Sequence, residues 1–220
     1  MASFFNLTLD TTAPAGLTLK LNNGAAYATS TSVTATIGLT DSVTTGYQMK
    51  IWGVAGAATE AEAAWATFVK SKAITLTTGD GQKTVSIKVR DDVGNETATV
   101  TAKITLDTAV PVVTITGPDK SKISKVATFN VAAFSFSASV DFEEYKIKVV
   151  PSESSLENAG TQIPVTAGST NTSGTKGGYK ADTAINVTIN GADLETASAG
   201  DGVKIVKVFV KNAAGTWSVA

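Results

Sequence analysis

Apolar and polar residues alternate with a period of two in several stretches of the chain. In 83–90, Val85, Ile87 and Val89 fall on one face and Ser86, Lys88 and Arg90 on the other. That is the pattern of an antiparallel strand with one buried face. Residues 204–211 repeat it with Val206, Val208 and Val210. Runs rich in Thr and Val at 30–38, 73–78, 97–106, 112–116 and 184–189 predict further strands. Gly79-Asp80-Gly81 and Val93-Gly94-Asn95 supply the positive backbone angles of turns. One helix is expected. Thr59 and Glu62 have capping-box spacing, and Ala61, Ala64, Trp65 and Phe68 follow at helical intervals. It reads as a short crossover between two sheets, with Trp65 on its core side. Ser154-Ser155-Leu156-Glu157 is a weaker counterpart.

The pattern occurs twice. Leu9-Asp10-Thr11-Thr12-Ala13-Pro14 returns as Leu106-Asp107-Thr108-Ala109-Val110-Pro111, an offset of 97. Tyr47-Gln48-Met49-Lys50-Ile51 returns as Tyr145-Lys146-Ile147-Lys148-Val149, an offset of 98. Asp80-Gly81 with Val85, Ile87, Val89 and Gly94 returns as Asp201-Gly202 with Val206, Val208, Val210 and Gly215, an offset of 121. The second copy therefore carries about 23 extra residues between Val150 and Ile185. That stretch holds the polar, Gly-rich run 168–178 and is expected to form an exposed loop or hairpin at about 151–182. A repeat of roughly 100 residues suits one β-sandwich. The expected layout is an N-terminal strand or linker at 1–11, a first domain at 12–107 and a second at 108–220.

The residues also carry a resemblance. Ala64-Trp65-Ala66-Thr67-Phe68, Ile74-Thr75-Leu76, Gly79-Asp80-Gly81-Gln82-Lys83-Thr84-Val85 and Val89-Arg90-Asp91-Asp92-Val93-Gly94-Asn95 resemble the bacterial and phage immunoglobulin-like repeat family. The Asp-Thr-x-x-Pro linkers at Asp10 to Pro14 and Asp107 to Pro111 belong to the same pattern. In the second copy the Trp segment is lost, and the Arg-Asp turn becomes Lys211-Asn212-Ala213-Ala214-Gly215-Thr216. The resemblance implies an all-β protein of two tandem immunoglobulin-like β-sandwich domains. The family occurs in cell-surface adhesins and in virion proteins. The expected function is thus a non-enzymatic structural or assembly protein, a bacteriophage virion accessory protein binding other virion proteins. The alternative is a carbohydrate-binding or adhesion module touching a host-surface glycan.

Composition narrows the chemistry. There is no histidine and no cysteine among 220 residues. That removes the Ser-His-Asp and Cys-His arrangements, thiolate nucleophiles and the usual zinc sites. No enzyme activity and no cofactor are expected. A net charge of −1 lacks the basic stripe that nucleic acid requires. The first ten residues do not read as a secretion signal, and no run of about 18 apolar residues suggests a membrane span. The expected location is the virion, after synthesis in the host cytoplasm, with the bacterial cell surface as the alternative.

Few residues remain as candidate sites. Asp91-Asp92 with Asn95 and Glu96 offers oxygen ligands for calcium, or else Asp91 and Asn95 fix their own turn. Glu143 and Glu144 are neighbours on one strand and point to opposite faces, so they do not form a catalytic pair. Trp52, Trp217 and the 151–182 loop are candidates for sugar contact. Phe209 falls on the outward face of its strand, where it marks a protein contact unless the inserted loop covers it. Finally, residues 3–11 align with 100–108 at the offset of 97, like the last strand of a domain that is elsewhere, while the second copy reaches only Trp217-Ser218-Val219-Ala220 before its own last strand. Phe5, Leu7 and Leu9 on one face of that strand, with Trp217 and Val219, are candidate contacts for a second subunit by strand exchange, or else the N-terminal strand pairs with its own domain and the second domain manages with a short last strand.

Overall fold

The structure is a computed structural model that describes residues 5–172 and 176–219. The chain is all-β and falls into two compact units, Met1–Thr108 and Ala109–Ala220.

The first unit contains strands β1 (Thr18–Leu21), β2 (Tyr27–Ala28), β3 (Ser32–Gly38), β4 (Gln48–Trp52), β5 (Ala66–Thr67), β6 (Ser71–Thr75), β7 (Gly81–Arg90) and β8 (Val100–Leu106). One sheet has the order β1-β3-β6, the other β2-β8-β7-β4-β5. This is the order of an immunoglobulin-like sandwich. The alternation read from the sequence fixes which face is inside. Val85, Ile87 and Val89 are fully buried, and they meet Leu19, Leu21, Val33, Ala35 and Ile37 from the opposite sheet. On β8, Ile104 and Leu106 complete that core.

The expected helix at 59–68 is a single turn. Its capping contact forms, since the N–H groups of Ala58 and Thr59 donate to the Glu62 carboxylate at 2.8 and 3.1 Å. Helix nucleation is costly, and here extension competes with it. Ala66 and Thr67 become β5 and pair with Met49 and Gln48 of β4. Phe68 reaches the core, whereas Trp65 stays half-buried.

The second unit contains β9 (Val113–Thr116), β10 (Val131–Ala138), β11 (Phe142–Val150), β12 (Thr161–Gln162), β13 (Lys176–Tyr179), β14 (Ile185–Asn190), helix α1 (Gly191–Ala197) and β15 (Ile205–Lys211). β9-β10-β14 form one sheet. In the other, β11 pairs with β12, β13 and β15. Phe136, Phe142, Tyr145 and Tyr179 form an aromatic cluster in the core, with Phe142 and Tyr179 stacked at 4.8 Å.

The inserted segment does not protrude as a free loop. Ile163 and Thr172 are fully buried, and both β12 and β13 return to β11. Ser173, Gly174 and Thr175 of its Gly-rich run lie outside the described residues. The helix α1 has no counterpart in the sequence reading. Asn190 caps it by accepting from Ala192 N–H at 2.8 Å. Asp193 in its first turn is fully buried and accepts the hydroxyls of Thr166 and Ser169.

Candidate interaction surface

Each candidate residue is placed by the turn or strand that carries it. At the turn after β7, the Asp91 carboxylate accepts from the N–H groups of Val93 (3.0 Å) and Asn95 (2.8 Å) and from the Asn95 side-chain amide (2.8 Å). Burial works to raise its pKa, but the Asn95 and Val93 hydrogen bonds outweigh it and hold the carboxyl below the ordinary carboxylate range. The carboxylate is therefore committed to the turn. The counterpart turn after β15 is built the same way without charge. Asn212 accepts from Thr216 N–H at 2.8 Å and donates to Ala109 O at 3.1 Å. The correspondence runs further. Thr97 Oγ1 accepts from Val89 N–H, and Ser218 Oγ accepts from Val210 N–H.

The outer face of each larger sheet carries cationic side chains under an indole. Trp65 lies with the Arg90 guanidinium 4.4 Å and the Lys50 ammonium 5.6 Å from a ring centroid. Arg90 is also held by two bonds to Gln48 Oε1, at 2.8 and 2.6 Å. Trp65 is thus an outer-face residue rather than the core residue expected. Trp217 has Lys146 at 4.3 Å and Lys211 at 5.4 Å. It is half-buried, and Val219 beside it is 64% exposed. Trp52, at the end of β4, is half-buried as well.

Phe209 is fully buried, so it presents no contact surface. The correction has a physical cause. Lys207 on the same face reaches the carbonyls of Glu153 (2.6 Å) and Ser155 (2.9 Å), and Lys148 reaches that of Glu157 (2.8 Å). These bonds hold the start of the inserted segment over this face. The Lys207 ammonium lies 5.3 Å from the Phe209 ring centroid. Lys148 is buried, and burial lowers its pKa, with Lys146 on the same face adding to the effect.

Glu144 pairs with Lys211 at 3.3 Å, and Glu143 is exposed. Both border a shallow depression with Lys176 and Asn212. Among the described residues no group of three acidic side chains is placed to hold a metal ion. No described helix is long and apolar enough to cross a membrane.

The N-terminal segment stands apart. Phe5, Leu7 and Leu9 are 85%, 86% and 85% exposed, and residues 5–10 belong to no strand. Ser3 and Phe4 lie outside the described residues. Phe5, Leu7 and Leu9 are exposed at alternate positions in the first unit; in the second, Trp217 is half-buried, Val219 is exposed and Phe209 is internal.

No family model matches the sequence, and no curated protein matches it. Among solved structures, chitinase ChiA74 from Bacillus thuringiensis is similar at a TM-score of 0.31 and 14% identity, over 92% of this chain and 30% of that one. Dimeric latent PorU from Porphyromonas gingivalis is similar at a TM-score of 0.31 and 13% identity, over 97% of this chain and 20% of that one. The chain spans less than a third of either protein, and likeness at this level carries no argument about function.

Proposed function

We propose that the chain is a non-enzymatic structural protein that joins other proteins in an assembly, as a bacteriophage virion accessory protein of the capsid, tail, fibre or baseplate. The observation that carries this reading is the exposure of Phe5, Leu7 and Leu9, at alternate positions of a segment that belongs to no strand among the described residues. Three large apolar side chains left in water favour burial against another surface. The resemblance of 64–95 to phage and bacterial immunoglobulin-like repeats supports the virion setting. The alternative, a carbohydrate-binding or adhesion module, needs open aromatic faces. Of its two candidate indoles, Trp217 already stacks against Lys146 and Lys211 of its own unit, and Trp52 is half-buried.

Antibodies raised against the chain test the reading on phage particles induced from the source bacterium and purified by density gradient. The expected result is the chain in the particle band at constant ratio to the major capsid protein. Absence from particles, together with binding on a glycan array, would replace this reading with the adhesion one.

A further inference from the structure

We infer that the loop between β9 and β10 is a docking tip for an anionic lipid surface, with Val126 and Phe129 entering the bilayer interface and Lys122 and Lys125 meeting the headgroups. The inference stands apart from the assembly reading. A loop that lies on a bilayer needs no spanning segment.

The loop is built, not slack. At its base the Asp119 carboxylate accepts from Ala133 N–H at 2.7 Å, and Lys120 Nζ donates to Val131 O at 2.9 Å. Gly191 N–H donates to Asn130 O at 2.7 Å. The loop also lies against the first residue of α1 so closely that a Cβ at Gly191 would collide with Ser124 O. At its tip the chain reverses within four residues. Phe129 N–H donates to Val126 O at 3.1 Å, and Ser124 N–H to Phe129 O at 2.9 Å. Ser124 Oγ accepts from Val126 N–H at 3.1 Å. Thr128 takes a φ of 81°, which costs a β-branched residue energy, so the turn is held by its bonds rather than by preference.

This fixed turn holds apolar side chains out in water. Val126 and Phe129, its first and last residues, are 66% and 67% exposed, with Ala127 and Thr128 exposed between them. Their burial elsewhere is favourable in proportion to that area. The two side chains stand on a convex turn and not in a groove. A bilayer interface deforms around such a tip, whereas a protein would need a pocket shaped to it.

Charge selects the kind of surface. Lys120, Lys122 and Lys125 fall within six residues just before the tip, and all three are exposed. Lys125 directly precedes Val126, and its aliphatic stem allows the ammonium to sit at headgroup level while the tip goes deeper. Glu195 of α1 approaches Lys125 only to 3.8 Å, and Asp119 is engaged at the base. The whole chain has a net charge of −1, so attraction to an anionic surface would be local to such a cluster.

The test measures partition of the full chain onto vesicles of phosphatidylcholine with about one third phosphatidylserine, against phosphatidylcholine alone. Sedimentation with the anionic vesicles only is expected. Lys122→Gln and Lys125→Gln should each weaken it about fivefold. Phe129→Ala should weaken it about tenfold. Glu195→Gln, which relieves Lys125 of its carboxylate neighbour, should strengthen it. Lys72→Gln, at an exposed lysine of the first unit, should leave it unchanged. Because the chain has no cysteine, Ala127→Cys carries a single polarity-sensitive dye, whose emission should shift to the blue on the anionic vesicles. Circular dichroism confirms that each variant is folded. No sedimentation of the intact chain would overturn the inference. So would full binding by Phe129→Ala, or an equal loss in Lys72→Gln. Loss of particle incorporation in the loop variants, with no vesicle binding by the intact chain, would assign the tip to a protein partner instead.

Discussion

The Lys146 ammonium lies 4.3 Å from the ring of Trp217, and Lys211 approaches the same ring at 5.4 Å. By the repeat, Lys146 and Lys211 are the counterparts of Gln48 and Arg90. In the first unit Gln48 holds Arg90 under Trp65. The two indoles therefore do one job from different places in the chain. Trp65 arrives just before β5, and Trp217 arrives from the turn after β15. Each covers cationic stems on an outer sheet face that are otherwise left to solvent.

That equivalence predicts similar costs. Each indole makes two cation contacts, worth about 0.5–1 kcal/mol apiece at partly exposed sites. Trp65→Ala and Trp217→Ala are each expected to destabilise their own unit by at least about 1 kcal/mol. Guanidinium unfolding followed by circular dichroism measures both. A double-mutant cycle of Trp65→Ala with Arg90→Ala should return a coupling of about 0.5–1 kcal/mol. Strict additivity would mean that the stacking contributes nothing.

Phe209 makes a sharper contrast with its sequence reading. As an exposed contact residue it would be replaceable at little cost to folding. Buried under the inserted segment, Phe209→Ala should cost about 3–5 kcal/mol, a large share of the stability of one small domain. Phe209→Leu should cost much less. Urea unfolding read from Trp217, the one indole of the second unit, separates these outcomes. A loss below about 0.5 kcal/mol for the alanine variant, as at an ordinary surface site, would show that the ring is not packed.

The strands of both units were legible because period-two alternation and the repeat offsets agree on the same inward residues. Val85, Ile87 and Val89 are all fully buried. What was not legible depends on contacts made across the chain. Thr59 and Glu62 do form their local bond, but β-pairing of Ala66 with Met49 overrides helix extension. Phe209 looks outward by parity, and only the carbonyls of Glu153, Ser155 and Glu157 reaching Lys207 and Lys148 reveal that its face is covered. Helix α1 carries its cap at Asn190 and an acidic first turn at Asp193, a signal present in the sequence directly after the strand-like run 184–189. Of the candidate contacts, Phe5, Leu7 and Leu9 follow from the repeat alone. Their exposure required the structure.

The paired turns predict a difference in acid. Asp91 has a folded-state pKa below its ordinary value of 3.8, so its contribution is fully present above that value and is lost as pH falls through the lower, folded one. Asn212 holds the matching turn and does not titrate there. Asp91→Asn should lower the stability of the first unit at pH 7, because the new amide opposes the Asn95 amide that now donates to the carboxylate. The gap between wild type and variant should narrow as pH falls below about 4. Urea midpoints at pH 7, 4 and 3, read from Trp52 and Trp65, test this. A gap that is constant with pH would remove the carboxylate from the account.

Lys148 gives a dependence of the same sign in the alkaline range, and with Lys207 it holds the cover over Phe209. Its ammonium is buried and its pKa is lowered, first by burial and then by Lys146. For a lysine depressed in the folded state, folding releases a proton between the folded and unfolded values. The stability of the second unit should therefore rise as pH approaches 10.5 from below. Lys148→Met removes both the titration and the bond to Glu157 O. The variant should stay folded, since methionine suits a buried site of similar length. Its amides across 153–159 should exchange with deuterium several-fold faster, while those of β11 and β15 stay protected. Its alkaline stability profile should be flat where that of the wild type rises. Unchanged exchange at 153–159 would mean that Lys207 alone holds the segment down.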